Sequence, residues 1–274
     1  MNDDDFPLAR VALDRLAQAG RTVAFWWRDD DARRVTPELE RLLDLADRHG
    51  LPLALAVIPE GTEPVLARRI AERGGVSVLL HGHAHADHAP LAENRAEFGD
   101  HRPPEAMAGE IAAGWAKLET LFGQQFRPVF VPPWNRIGPV ARALLPGLGL
   151  EALSVYGSPK LAAHGGSAEI NTHLDVMDWR AMQGLTCEVA DARLAELLAS
   201  RADSARRDAA AGGEEPIGLL THHLQHDEAA WSLTDRLLAV LANHPAAAWP
   251  DLLPSGPAGR HAGDAGTQSR LNCR

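Results

Sequence analysis

Apolar runs alternate with amphipathic stretches along most of the chain. "TVAFWW" (22–27), "LPLALAVIP" (51–59), "VSVLL" (76–80) and "RPVFVPP" (127–133) are short, apolar and bounded by turn residues, which predicts buried strands. Between the first two, "PELERLLDLADRHG" (37–50) sets Leu39, Leu42, Leu43, Leu45 and Ala46 on one helical face. Pro37 and Gly50 supply its start and stop signals. The same reasoning predicts helices over 63–75 and 105–123.

The second half is less regular. A short helix is expected over 138–149, a strand over 151–156, a strand over 172–179, and helices over 191–210 and 228–244. "PIGLLTHH" (216–223) reads as a strand running into polar residues. Strands that alternate with helices pair in parallel, because a parallel connection needs a crossover. The expected class is therefore α/β. About seven such units suit either a barrel related to the eight-unit form or an open doubly wound sheet.

Bulk properties narrow the class further. A 274-residue chain with 45% hydrophobic residues sustains a sizeable core. A single domain over 1–254 is expected, with a loop at 209–215 and a disordered Gly-rich tail over 255–274. The net charge of −10 argues against nucleic acid or an anionic membrane as partner. Two cysteines, Cys187 and Cys273, form no CxxC pair for zinc and no disulfide framework. The acidic start lacks an apolar h-region, and no run reaches the ~18 apolar residues of a membrane span. A cytoplasmic protein is expected, with its number of subunits left open.

Chemistry collects where the strands end. "RDDDA" (28–32) follows the first, "HGHAHADH" (81–88) the third, "PPWN" (132–135) the fourth, and "THHLQHDE" (221–228) the last. "HLDVMDW" (173–179) lies in the sixth. Carboxyl ends of parallel strands converge on one face, so these distant residues have a geometric reason to meet. Three adjacent aspartates repel one another, and a cation would relieve that. They would serve equally as a solvated cluster at a helix N-terminus. His81, His83 and His85 share a face if the chain is extended; His81 and His85 meet side by side if it turns helical. Gly82 favours the turn. Two imidazoles and one carboxylate make an open divalent-metal site. His222 suits proton donation. Trp134 and Trp179 stand beside polar motif residues, where indoles line clefts or simply pack.

In this order of motifs the sequence resembles the polysaccharide deacetylase (NodB-like, carbohydrate esterase family 4) superfamily. The resemblance spans about residues 22 to 245, and "HGHAH" is its most specific local match. It implies a distorted (β/α)7 barrel and metal-dependent hydrolysis of an N- or O-acetyl group. Carried over residue by residue, it implies Asp30 as base, Asp31, His81 and His85 as ligands of a divalent ion, most simply Zn²⁺, and His222 as acid. A register one residue earlier would use Asp29 and Asp30, and His223 rivals His222. Asn135, Trp134 and Trp179 fall to the substrate and oxyanion side; Pro132 and Pro133 have no N–H, which leaves that of Trp134. The family's Pro-rich motif carries an arginine that orients the base. Here Phe130 or Val131 stands in its place. Substrate is thus an acetylated sugar or, on the same site, a small cytoplasmic amide or ureide. A metal- or ligand-binding homologue without catalysis is the third reading.

Overall fold

The structure, a computed structural model, describes residues 5–158, 168–207 and 215–256. Most of the loop expected at 209–215, and the expected tail beyond Gly256, lie outside the described residues. Eleven strands are present among them: β1 (Val23–Ala32), β2 (Leu53–Val57), β3 (Val76–His81), β4 (Phe126–Val131), β5 (Ala152–Leu153), β6 (Ala168–Glu169), β7 (Leu174–Asp175), β8 (Met177–Asp178), β9 (Gln183–Gly184), β10 (Ile217–Thr221) and β11 (Ala247–Ala248). The helices are α1 (Pro7–Gln18), α2 (Pro37–His49), α3 (Pro64–Ala71), α4 (Pro104–Phe122), α5 (Pro139–Leu144), α6 (Cys187–Arg207) and α7 (Glu228–Asn243).

The main sheet runs β6-β5-β4-β3-β2-β1-β10-β7, with β11 added beside the start of β1, and its pairings are parallel. It curls without closing: β6 and β7 end the path and do not pair with each other. The fold is an α/β distorted barrel. Val78, Leu80, Phe126, Phe130, Ile217 and Leu219 belong to the larger apolar cluster that includes the helices. A second cluster, on the opposite strand face, holds Trp26, Ala54, Ala56, Leu79, Val129, Val131 and Ala152. Small residues there leave room for Trp26, whose indole donates to the carbonyl of Asn171 at 2.9 Å. A Cβ on Gly218 would lie 2.4 Å from that indole nitrogen, so the adjacent strand carries glycine.

Three departures from the sequence pattern bear on the core and the site. Helix α1 was not among the expected elements; it buries Ala9, Leu13 and Leu16, and the Asp191 carboxylate of α6 accepts its Leu8 and Ala9 amides at 3.0 and 2.8 Å. The strand expected over 172–179 breaks at Val176. Leu174–Asp175 joins the sheet, and Met177–Asp178 turns away to pair antiparallel with β9. Most important for function, β1 does not stop at Trp27 but continues through the acidic run to Ala32. Among the described residues no helix is long and apolar enough to cross a membrane.

Candidate metal centre and acid–base pair

Strand alternation sorts the acidic run. Trp26 and Arg28 face the concave side, while Trp27 and Asp29 face the helices. Asp30 returns to the concave side. Asp31 would then face outward, but β1 carries one extra residue against β2 between Asp29 and Ala32, and Asp31 sits in the left-handed region at φ 72°. The bulge turns Asp31 toward the end of β3.

There its Oδ1 lies 3.0 Å from His81 Nε2 and 3.1 Å from His85 Nε2. The three donor atoms lie within 4.8 Å of one another. His81 Nδ1 donates to the Val131 carbonyl at 2.9 Å, which orients the ring with Nε2 facing Asp31. Burial pushes the Asp31 carboxyl up, but hydrogen bonds and charge from His81 and His85 outweigh it and hold it well below the usual range. One carboxylate oxygen shared by two imidazole nitrogens is a donor set that suits a divalent ion.

The histidine stretch reaches this geometry without a helix. His81 ends β3, Gly82 follows at φ 55°, and His85 is again left-handed at φ 59°. His81 and His85 do meet, with ring centroids 5.2 Å apart, but across an irregular loop instead of one helical turn. The loop is held from a distance. Glu97, fully buried, accepts the amides of Ala84 at 2.7 Å and His83 at 3.1 Å, and Arg33 donates to the Ala84 carbonyl at 3.0 Å. A Cβ on Gly82 would lie 2.1 Å from a Glu97 carboxylate oxygen and 2.7 Å from the Pro133 ring. Gly82→Ala is therefore expected to cost about 1–3 kcal/mol of folding stability, read by urea denaturation. A wild-type value would show that Gly82 does not set the loop. His83 and His88 stay outside the Asp31 cluster.

Asp30 is buried beside this centre and held by Arg28. Arg28 Nε lies 2.8 Å from its Oδ1, and Nη2 donates to its Oδ2 at 3.0 Å. The same guanidinium donates to Ser154 Oγ at 2.6 Å and Asn135 Oδ1 at 2.8 Å, and is itself fully buried. The arginine absent from the Pro-rich segment thus has a counterpart two residues before Asp30, on the same strand. Asn135, expected near substrate, gives its amide oxygen to Arg28. Arg127 and Arg136 lie elsewhere, donating to Asp251 and to the Arg95 carbonyl.

His222 lies across from Asp30, with Nε2 3.9 Å from Oδ2. Its Nδ1 is buried with no partner among the described residues, and the Trp179 indole meets its ring edge-on at 4.7 Å. Trp179 Nε1 donates to Asp175 at 2.7 Å; burial raises the Asp175 carboxyl against the lowering effect of His222 and that indole. Asp175 is thus the acidic residue beside the site, while Asp178 caps the turn through the Arg180 and Ala181 amides. On the other flank Trp134, left-handed at φ 55°, sets its ring 4.4 Å from His85.

Asp29 and His223 are paired away from this centre. Asp29 accepts His223 Nδ1 at 2.5 Å, the His223 amide at 3.0 Å and Thr221 Oγ1 at 2.7 Å. Burial raises Asp29, but the His223 charge and hydrogen bond overcome it and lower the carboxyl; burial lowers His223, and the Asp29 charge overcomes it and raises the imidazole. The structure therefore places Asp29 and His223 on the helix side, with each other as partners. A cavity of about 850 Å³ opens at the opposite end of the strands, lined by Trp26, Trp249 and Leu253 among others, and contains none of these residues.

No family model and no curated protein sequence matches the chain. Solved structures do. A family 4 acetyl xylan esterase from Clostridium thermocellum, determined with a cobalt ion, superposes with a TM-score of 0.53 at 15% identity, covering 83% of this chain and 87% of that one. A family 4 carbohydrate esterase from Streptomyces lividans, in complex with acetate, gives 0.52 at 15% identity over 83% and 91%. The fold is that of the family 4 carbohydrate esterases. A pseudoenzyme of the same family from Bacillus anthracis also superposes, with a TM-score of 0.51 at 11% identity over 81% of this chain and 60% of that one. The carbohydrate esterase fold thus houses active and inactive proteins alike, and what this chain does rests on its own site residues.

Proposed function

We propose that the chain is a metal-dependent hydrolase that removes an acetyl or other acyl group from an N-acetylated sugar or related amide. The observation that carries this is the convergence of Asp31, His81 and His85 on one point beside the buried Asp30–His222 pair. Those three residues would hold the ion, most simply Zn²⁺. A bound ion of this kind activates water near neutral pH and polarises an acyl carbonyl.

The remaining work falls to the chain. Asp30, hydrogen-bonded by Arg28 at Oδ2 and paired with its charge at Oδ1, accepts the proton of the attacking water. The Trp134 amide, the first N–H after two prolines, is turned by its left-handed backbone and stabilises the developing oxyanion. His222, wedged against Trp179, delivers a proton to the leaving amine. Arg28 bears on the non-catalytic reading: it restores to Asp30 the contact that the Pro-rich segment lacks, and a pure metal binder has no use for an orientated base.

The test is acetate release from N-acetylated chitooligosaccharide and from 4-nitrophenyl acetate, by zinc-loaded and by chelated protein. Release that depends on zinc is expected. Zinc binding without release from either probe would favour the non-catalytic reading, and release from the small ester alone would point to a small amide or ester substrate.

A further inference from the structure

The first aspartate of the acidic run, Asp29, and the second histidine of "THH", His223, have no part in that mechanism, yet both are buried. We propose that Asp29 and His223 form a positioning brace that fixes the separation of Asp30 from His222. This rests on the function proposed above.

The argument is one of adjacency and face. Asp29 precedes Asp30, and His223 follows His222. Strands β1 and β10 run in register from Phe25–Ile217 to Asp29–Thr221, and there the backbone ladder ends. Asp30 and His222 stand just beyond it, so no backbone pairing sets their distance. The Asp29–His223 contacts take over at that point: Nδ1 and the backbone amide of His223 both donate to the Asp29 carboxylate. Thr221 Oγ1 donates to the same carboxylate and accepts from Trp27 Nε1 at 2.9 Å, which ties the arrangement to the core. Asp29 and His223 are 0% and 1% exposed, so water cannot substitute for a lost partner. The result is two acid–histidine pairs back to back. One faces the helices at 2.5 Å, and the other faces the concave side at 3.9 Å. His226 completes the support, its Nε2 accepting the His222 amide at 3.4 Å.

The geometry of the brace is set by a donor at the δ position of residue 223. Asn offers an amide nitrogen there; Gln places it one atom further out. With zinc bound, His223→Asn is expected to keep kcat on 4-nitrophenyl acetate within about threefold of wild type. His223→Gln is expected to lose about 10- to 100-fold in kcat, a range comparable to a misplacement of about 1 Å, with KM and zinc affinity within twofold. Crystal structures of the two variants should show the 3.9 Å Asp30–His222 separation retained in the first and changed in the second. Equal kcat in both, or an unchanged separation in His223→Gln, overturns the brace. A loss confined to thermal stability, with kcat per folded molecule unchanged, also overturns it. If the wild type hydrolyses neither probe the proposed function fails, while the crystal structures still decide the brace.

Discussion

Under the proposed function, Asp30→Asn is expected to bind zinc within a few-fold of wild type and to release acetate about 100- to 10,000-fold more slowly, the range by which a positioned general base contributes. The geometry separates the two effects. Asp30 is not one of the three clustered residues proposed as ligands, so its loss leaves the Asp31–His81–His85 cluster intact. Asp30 is 2% exposed, its Oδ2 accepts from Arg28 and lies 3.9 Å from His222 Nε2, and its Oδ1 sits 2.8 Å from Arg28 Nε. An asparagine side chain fits that space and still accepts one hydrogen bond from Arg28, but it cannot take a proton from water. The measurement is kcat on an acetylated substrate beside a zinc titration of the same preparation. Full turnover by the variant would remove Asp30 from the role of base and return the register of the acidic run to question.

Arg28→Met is expected to cost about 3–5 kcal/mol of folding stability, the cost of breaking a buried ion pair from one side. Arg28 is fully buried, and its loss strips Asp30 of both ion-pair contacts and leaves Ser154 and Asn135 without their partner. The companion variant decides the cause. Arg28→Met combined with Asp30→Leu removes both charges, and replacing a whole buried pair by apolar side chains is close to neutral. Most of the lost stability should return, although the double variant is inactive. Urea denaturation of the two singles and the double gives the coupling directly. A single variant within about 0.5 kcal/mol of wild type, the usual size of a surface substitution, would mean that Arg28 is not what holds Asp30.

The long elements and the clustered ligands were legible because each carries its own signal. Leu39, Leu42, Leu43, Leu45 and Ala46 declare α2 by spacing, and all are buried. Asp31 and His81 lie at the ends of β1 and β3 and His85 just beyond, and parallel strands deliver their ends to one place. Other features leave little local trace. Strand β6 is two residues long, too short for any period to show, whereas β5 and β7 lie inside the longer runs expected over 151–156 and 172–179. The bulge that rotates Asp31 depends on pairing with β2, which the acidic run does not encode. Arg28 stood in view, but its partner on Asp30 depends on strand alternation once β1 runs past Trp27. Glu97 is the plain omission: a lone glutamate in a polar stretch, recognisable only when the loop it holds is folded around it. Helix α1 did have a signal, in Pro7 followed by Ala9, Leu13 and Leu16, and its strongest anchor, Asp191, is supplied by a helix far along the chain.

The left-handed residues have a consequence for how this sequence would drift. Asp31, His85 and Trp134 each hold a backbone conformation that glycine adopts freely and that costs other residues about 1–2 kcal/mol. Glycine at any of the three would relieve that strain while deleting a proposed ligand or the indole beside the metal centre. A screen for abundance or heat tolerance alone would therefore favour glycine at these positions, and a screen for turnover would reject it. The opposing outcomes of the two selections, read by sequencing, would mark out which parts of the molecule are kept for chemistry at the expense of stability.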